Sequence, residues 1–150
     1  MSSVRRILQL KGFDIWSTSP DATVYDALRI MGDKDVGALI VMEENKLVGI
    51  LSERDYARKI VLSGKSSRET RVADVMTRVV FTVHPEQTVQ ECMQLMLDHH
   101  IRHLPVVLDD EVVGVISIGD VMHDIIYQQK NSIQSLERQI STQAQRMLGY

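Results

Sequence analysis

Apolar residues recur at helical spacing in Val24, Ala27, Leu28 and Met31, and again in Val89, Cys92, Met93 and Met96. Ser19-Pro20-Asp21 and Pro85-Glu86 precede these sets. Proline suits a first helical turn and acids favour its positive end, so helices are predicted to open there. Short apolar runs follow, Ala38–Met42 and Leu104–Leu108. Next come polar pairs, Glu44-Asn45 and Asp109-Asp110, of the type that supports tight turns. Second runs, Leu47–Leu51 and Val112–Ile116, each enclose a glycine. Two apolar runs around a short polar turn predict an antiparallel hairpin. Each hairpin ends in Ser-x-x-Asp, Ser52 to Asp55 and Ser117 to Asp120, a helix cap with an acid at the third helical position. Tyr56, Ile60 and Val61, or Val121, Ile125 and Ile126, continue as a helix. The fold class predicted is α+β.

The pattern occurs twice because the chain is duplicated. A shift of 65 positions superimposes Pro20 on Pro85, Thr23-Val24 on Thr88-Val89 and Met31 on Met96. It also superimposes Val48-Gly49 on Val113-Gly114, Ser52 on Ser117 and Asp55 on Asp120. Residues 20–61 show 12 identities in 42 positions, against roughly two or three for unrelated sequence of average composition. Upstream the match is weaker, with Val72–Thr77 falling on Ile7–Gly12 and Phe81 on Trp16. The predicted organisation is repeat one at 7–62, a polar linker at 63–71, repeat two at 72–127 and a tail at 128–150. In the tail Ile126, Ile133, Ile140 and Met147 recur every seven residues, with Leu136 between them, which predicts a C-terminal amphipathic helix.

Composition narrows the function. The 150 residues carry a net charge of −3 and 44% hydrophobic residues, as expected for a soluble domain and not for a general nucleic-acid binder. Apolar runs are far shorter than the roughly 20 residues of a membrane span, and no secretory signal is visible, so a cytoplasmic protein with no membrane or nucleic-acid partner is expected. The single cysteine, Cys92, excludes a disulfide framework and a multi-cysteine zinc site. It reads as a buried small hydrophobe. His99 and His103 are four apart but lack a third ligand, so no metal is expected. Neither a nucleophile–base pair nor a P-loop is present, which argues against an enzyme.

Val48–Asp55, His103-Leu104-Pro105-Val106-Val107 and Val113–Asp120, in this order and at a fixed offset, resemble the CBS domain, the unit named after cystathionine β-synthase. The resemblance covers roughly residues 7–127 and extends to stand-alone proteins with two such domains in tandem, the Bateman module. It implies two β-α-β-β-α repeats packed about a pseudo-twofold axis, a homodimer of modules, and regulation of an unidentified partner protein. It also implies two clefts for an adenosine-containing ligand, with AMP or NAD expected and ATP or S-adenosylmethionine as further candidates.

Such a site needs an acceptor for ribose hydroxyls, an apolar slot for the base and donors for phosphate. Asp55 and Asp120 supply the acceptors, with Ser52 and Ser117 in the same binding set, and backbone N–H groups near Glu53–Asp55 and near Ile118, Gly119 and Asp120 lie where an anion can meet a helix start. Gly37-Ala38 and Leu104-Pro105 would wall the base, Arg102 and His103 would reach phosphate in the second copy, and Arg54, with Arg58 beside it, in the first. In the family each ribose-binding Asp works with the opening strand of the other copy. That brings Lys11, Gly12, Phe13, Asp14 and Ile15 beside Asp120, and Thr77, Arg78, Val79 and Val80 beside Asp55. The same Ser-x-x-Asp residues also read as helix caps alone, and Arg102 and His103 as surface residues of a strand edge. The alternative function is a non-catalytic scaffold with vestigial clefts. Because Gly37-Ala38 stands where copy two has Arg102-His103, the clefts are expected to differ, with copy two better supplied for phosphate.

Overall fold

Local signals set the elements, and the computed structural model describes residues 2–149. α2 (Val24–Lys34) and α5 (Val89–His99) start four residues beyond Pro20 and Pro85. The reason is capping: Thr23 and Thr88 each accept the backbone N–H three residues ahead, from Asp26 and Glu91, at 3.1 Å. Both helices end in a left-handed residue, Asp35 (φ 54°) and His100 (φ 54°), which turns the chain into a hairpin.

The hairpins are β2 (Ala38–Glu43) with β3 (Lys46–Ser52), and β4 (His103–Leu108) with β5 (Glu111–Ser117), both antiparallel. Glu44-Asn45 and Asp109-Asp110 all have positive φ, between 50° and 64°, the conformation that tight two-residue hairpins require. Ala38 pairs with Ser52 and His103 with Ser117, and both hairpins shift register at the equivalent place, Val41/Met42 and Val106/Val107. The 65-residue repeat therefore holds residue for residue through both hairpins. β1 (Ser17–Thr18) joins β2 in parallel, and copy two keeps only a single parallel bridge there, Val83 with Val106.

After the first hairpin come α3 (Glu53–Asp55) and a π-helical turn, Tyr56–Val61. After the second comes one continuous helix, α6 (Ile118–Met147). Its last part stands clear of the module: residues 129–149 are exposed, so the tail does not pack on its own chain.

Two remaining helices cross between the copies. α1 (Val4–Lys11) places Val4, Ile7 and Leu8 in the core formed by Val89, Cys92, Met96, Leu104, Val106, Ile116 and Val121 of copy two. α4 (Val72–Val75), with Met76 after it, closes the core of Val24, Ala27, Met31, Leu39, Val41, Leu51 and Ile60 of copy one. The first N–H groups of each helix are satisfied by the turn preceding the other unit's long helix. Val4 and Arg5 donate to the carbonyls of Gln87 and Pro85, and Val72 and Ala73 to those of Ala22 and Pro20.

These contacts alter the upstream alignment. Leu8 lies against Gly114 and Met76 against the equivalent Gly49, an offset of 68 and not 65. Met76 leaves the helix at once, whereas α1 continues from Leu8 through Gln9, Leu10 and Lys11. α1 thus carries an additional turn with no counterpart in copy two's opening segment.

Candidate functional site

Both Ser-x-x-Asp motifs form reciprocal capping boxes. The Ser52 N–H donates to Asp55 Oδ2 at 3.0 Å and the Asp55 N–H to Ser52 Oγ at 3.2 Å; the corresponding distances for Ser117 and Asp120 are 2.8 and 3.2 Å. The Glu53 N–H is taken by the Gly37 carbonyl (3.0 Å) and the Ile118 N–H by the Arg102 carbonyl (2.8 Å). Most backbone donors at these helix starts are therefore used by the fold. Of these donors, the Arg54 and Gly119 N–H groups have no backbone partner among the described residues.

Asp55 is buried and braced from several sides. Lys59 Nζ lies 3.0 Å from Oδ1 and donates to the Val75 carbonyl at 2.9 Å, and Thr77 Oγ1 donates to Oδ1 at 3.1 Å. Thr77 is held there by a two-way backbone bridge with Ile50, both bonds 2.9 Å. The expected placement of Thr77 beside Asp55 is thus realised. Above the carboxylate opens a cleft of about 620 Å³, within the ~300–1,000 Å³ typical of small-molecule sites.

Both copies wall this cleft. Copy one contributes Gly37, Ile50 and Ser52–Asp55, and copy two contributes Thr77, Val79–Phe81 and His99–His103. Arg54 ties the two sides together by donating from Nη1 to the His100 carbonyl at 2.5 Å. Phe81 stacks on His99 with centroids 3.9 Å apart, while the equivalent pair in copy one is Lys34 over Trp16 at 4.4 Å. The Asp55 cleft therefore holds a carboxylate, an apolar wall of Ile50, Val79, Val80, Phe81 and Ile101, and the side chains of Arg54, Arg102, His99, His100 and His103.

Arg102 and His103, read from the sequence as cations of the second copy, face the Asp55 cleft together with Arg54. The reason is the pseudo-twofold packing, which sets the start of β4 against Gly37 at the start of β2: a Cβ on Gly37 would lie 3.5 Å from the His103 ring. Burial pushes the His103 pKa below its usual 6.5, aided by Lys11 and Arg102 and opposed by Asp120.

Leu104 is wholly buried in the copy-two core, and Pro105 and Ala38 are buried strand residues, so none of these three walls the cleft. Arg78 folds back to donate to the Ala73 carbonyl, and Arg58 is exposed outside the cleft. Sequence reasoning missed Ile50, Phe81, His99, His100 and Ile101 as lining residues. Their available signal was adjacency to Thr77, Val80 and Arg102 and the repeat match of Phe81 with Trp16.

Around Asp120 the arrangement differs. Lys11 Nζ donates to Asp120 Oδ2 at 2.6 Å and to the Val115 carbonyl at 2.8 Å. Burial raises the Asp120 pKa, but the Lys11 and Ser117 hydrogen bonds and the Lys11 charge outweigh it and leave the pKa below 3.8. Lys11 is helical rather than part of an opening strand. Gly12 (φ 104°) then turns the chain outward, leaving Phe13 and Asp14 exposed and Ile15 half-buried. The hollow of about 400 Å³ that Asp120 lines lies between α1 and α6, among Arg6, Leu10, Lys11, His123 and Tyr127. Gly119 lies on the exposed side of the α6 start. Among the described residues no group of His, Cys, Asp or Glu could hold a metal ion, and no helix is long and apolar enough to cross a membrane.

A duplicated α+β unit whose cleft is walled by both halves defines a paired module in form. The chain belongs to the CBS-domain family: the family's description, "CBS domain", matches residues 11–62 and 72–127. It is 44% identical over 131 residues to the mitochondrial CBS domain-containing protein CBSX3 of Arabidopsis thaliana, covering 84% of this chain and 63% of that protein. It is 32% identical over 121 residues to CBS domain-containing protein YhcV of Bacillus subtilis, covering 81% and 84%. Among solved structures, a putative signal-transduction protein with CBS domains from Burkholderia ambifaria superimposes with a TM-score of 0.83 at 44% identity, covering 85% of this chain and 96% of that one. These relatives are named for their domains and not for a reaction. A match to inosine-5'-monophosphate dehydrogenase of Nitrosopumilus maritimus spans only 22% of that enzyme.

Proposed function

We propose that this CBS pair is a regulatory sensor, not an enzyme, that binds an adenosine nucleotide in the Asp55 cleft and passes the binding state to a partner protein. The observation that carries the reading is the composition of that cleft, in which residues of both copies meet around a carboxylate, an apolar wall and a cationic rim. Asp55 and Thr77 suit ribose hydroxyls. Ile50, Val79, Val80 and Ile101 suit a flat base. Arg102 and Arg54 suit phosphate, since charged hydrogen bonds are the stronger class. AMP and NAD fit this chemistry, and ATP and S-adenosylmethionine share its adenosine part. A ligand gripped by both halves alters their relative position, the movement a regulated partner would read. The resemblance further implies that two modules meet as a homodimer, and the cytoplasmic expectation rests on the sequence alone.

Calorimetry with AMP and with adenosine tests the reading. Arg102→Ala removes one charge-assisted bond of about 1.5–3 kcal/mol, a loss of roughly 10- to 150-fold. That loss falls on AMP and spares adenosine. Equal losses for both ligands would assign Arg102 to the fold. One observation favours the scaffold alternative: both Asp55 oxygens already have partners within the chain. Absence of any thermal shift with AMP, ATP, NAD and S-adenosylmethionine would decide for the scaffold.

A further inference from the structure

Thr77 makes two contacts at the Asp55 cleft: its backbone N–H donates to the Ile50 carbonyl at 2.9 Å, and its hydroxyl donates to Asp55 Oδ1 at 3.1 Å. In the other half the acceptors equivalent to these are the Val115 carbonyl and the Asp120 carboxylate. One ammonium, Lys11 Nζ, binds both, at 2.8 and 2.6 Å. Lys11 arrives there on the additional turn of α1, which has no equivalent after α4. Because that turn stays helical, the backbone bridge seen at Ile50–Thr77 is not repeated at Val115, and the following residues leave the sheet at Gly12 (φ 104°).

The charge is matched as well as the geometry. Asp120 carries one negative charge and is held ionised by the same ammonium that covers it. Lys11 and Asp120 have side-chain exposures of 36% and 23%, so the pair can be displaced but is partly desolvated. A ribose hydroxyl approaching Asp120 Oδ2 would have to replace a bond in which both partners are charged with one in which only the carboxylate is.

We propose that Lys11 is an internal occupant of the Asp120 cleft, so that the chain binds a single adenosine nucleotide, in the Asp55 cleft. The proposal rests on the nucleotide-sensor reading and adds to it a stoichiometry and a residue that sets it. It also changes the expected role of Lys11 from ligand to competitor.

The test is the number of AMP molecules bound per chain, measured by calorimetry on the full chain. Wild type takes up one, and Asp55→Asn abolishes it. Lys11→Met, which keeps the length and helical preference of the side chain and removes its charge, takes up two, and adding Asp120→Asn returns the number to one. A ligand-free readout accompanies this: the Asp120 carboxyl pKa, followed by NMR, rises in Lys11→Met. Two molecules bound by wild type, or one bound by Lys11→Met with its thermal melting intact, would overturn the Lys11 inference and leave the nucleotide reading standing. Weaker AMP binding in Lys11→Met would likewise overturn it, because Lys11 would then be a phosphate ligand. No binding by either protein would overturn both.

Discussion

At the scale of single residues, the two aspartates have the same sequence context and different surroundings. Asp55 is braced by Lys59 on its own helix and by Thr77 from across the module; Asp120 is held by Lys11 on the crossing helix. The side chain shared by the two halves is His103. It faces the Asp55 cleft with Glu53, Arg54, Asp55, His99, His100 and Arg102, and it responds to Lys11 and Asp120 from the other side. Its pKa in the folded chain lies below 6.5, chiefly through burial. The unfolded chain therefore binds a proton in the window just below pH 6.5 that the folded chain does not, and stability falls as pH drops through it. Thermal melting between about pH 7.5 and pH 5.5 should show this decline, and His103→Gln should flatten it. An identical decline in the variant would assign the effect to other groups. Cys92 takes no part in such chemistry: burial, with Glu91 beside it, pushes its thiol up to about 11.

At the scale of elements, the helix–hairpin–helix units were legible because their signals are local. Polar turn pairs and capping boxes depend on residues two to four positions apart and repeat at the 65-residue offset; the caps Thr23 and Thr88 are as local, but Pro20 and Pro85 drew the helix starts away from them. The crossing helices were not legible, because α1 and α4 are short amphipathic segments whose partners lie in the other half. Gly49 and Gly114 are where these helices rest on the sheets. A Cβ on Gly49 would sit 2.7 Å from Met76 Sδ and 3.0 Å from the Thr77 carbonyl oxygen; one on Gly114 would sit 2.6 Å from Leu8 Cδ2. Alanine at either position should destabilise the protein by about 1–3 kcal/mol, as overpacking does. Urea unfolding reads the cost. Gly49→Ala also displaces Thr77, so it should weaken AMP binding more than Gly114→Ala does. Equal AMP affinity in the two variants would detach Thr77 from the ligand.

At the scale of the whole molecule, the tail of α6 is the part left without a counterpart. Ile133, Leu136, Ile140 and Met147 are 56%, 57%, 65% and 87% exposed, and the family match ends at residue 127. Leaving such side chains wet forgoes roughly 1.5–3 kcal/mol each, and their seven-residue spacing is that of a helical seam. In the proposed homodimer this stripe pairs with a second copy. Truncation after Gln128 should therefore weaken self-association in sedimentation while leaving the melting of the module unchanged, because residues 129–149 are exposed throughout. A monomeric full-length chain at micromolar concentration would sink the homodimer; a dimer indifferent to truncation would sink only the tail's part in it. Periodicity and the duplication sufficed to read the α+β class, both hairpins, the capped aspartates and the long final helix, since each follows from short-range spacing. Packing across the chain decided the rest. Lys11 and Asp120 are 109 residues apart, as are Leu8 and Gly114 to within three positions, and a single added helical turn determines where that lysine lands. Which cleft receives Arg102 and His103 follows from the same long-range docking of one half on the other, a relation that no local pattern encodes.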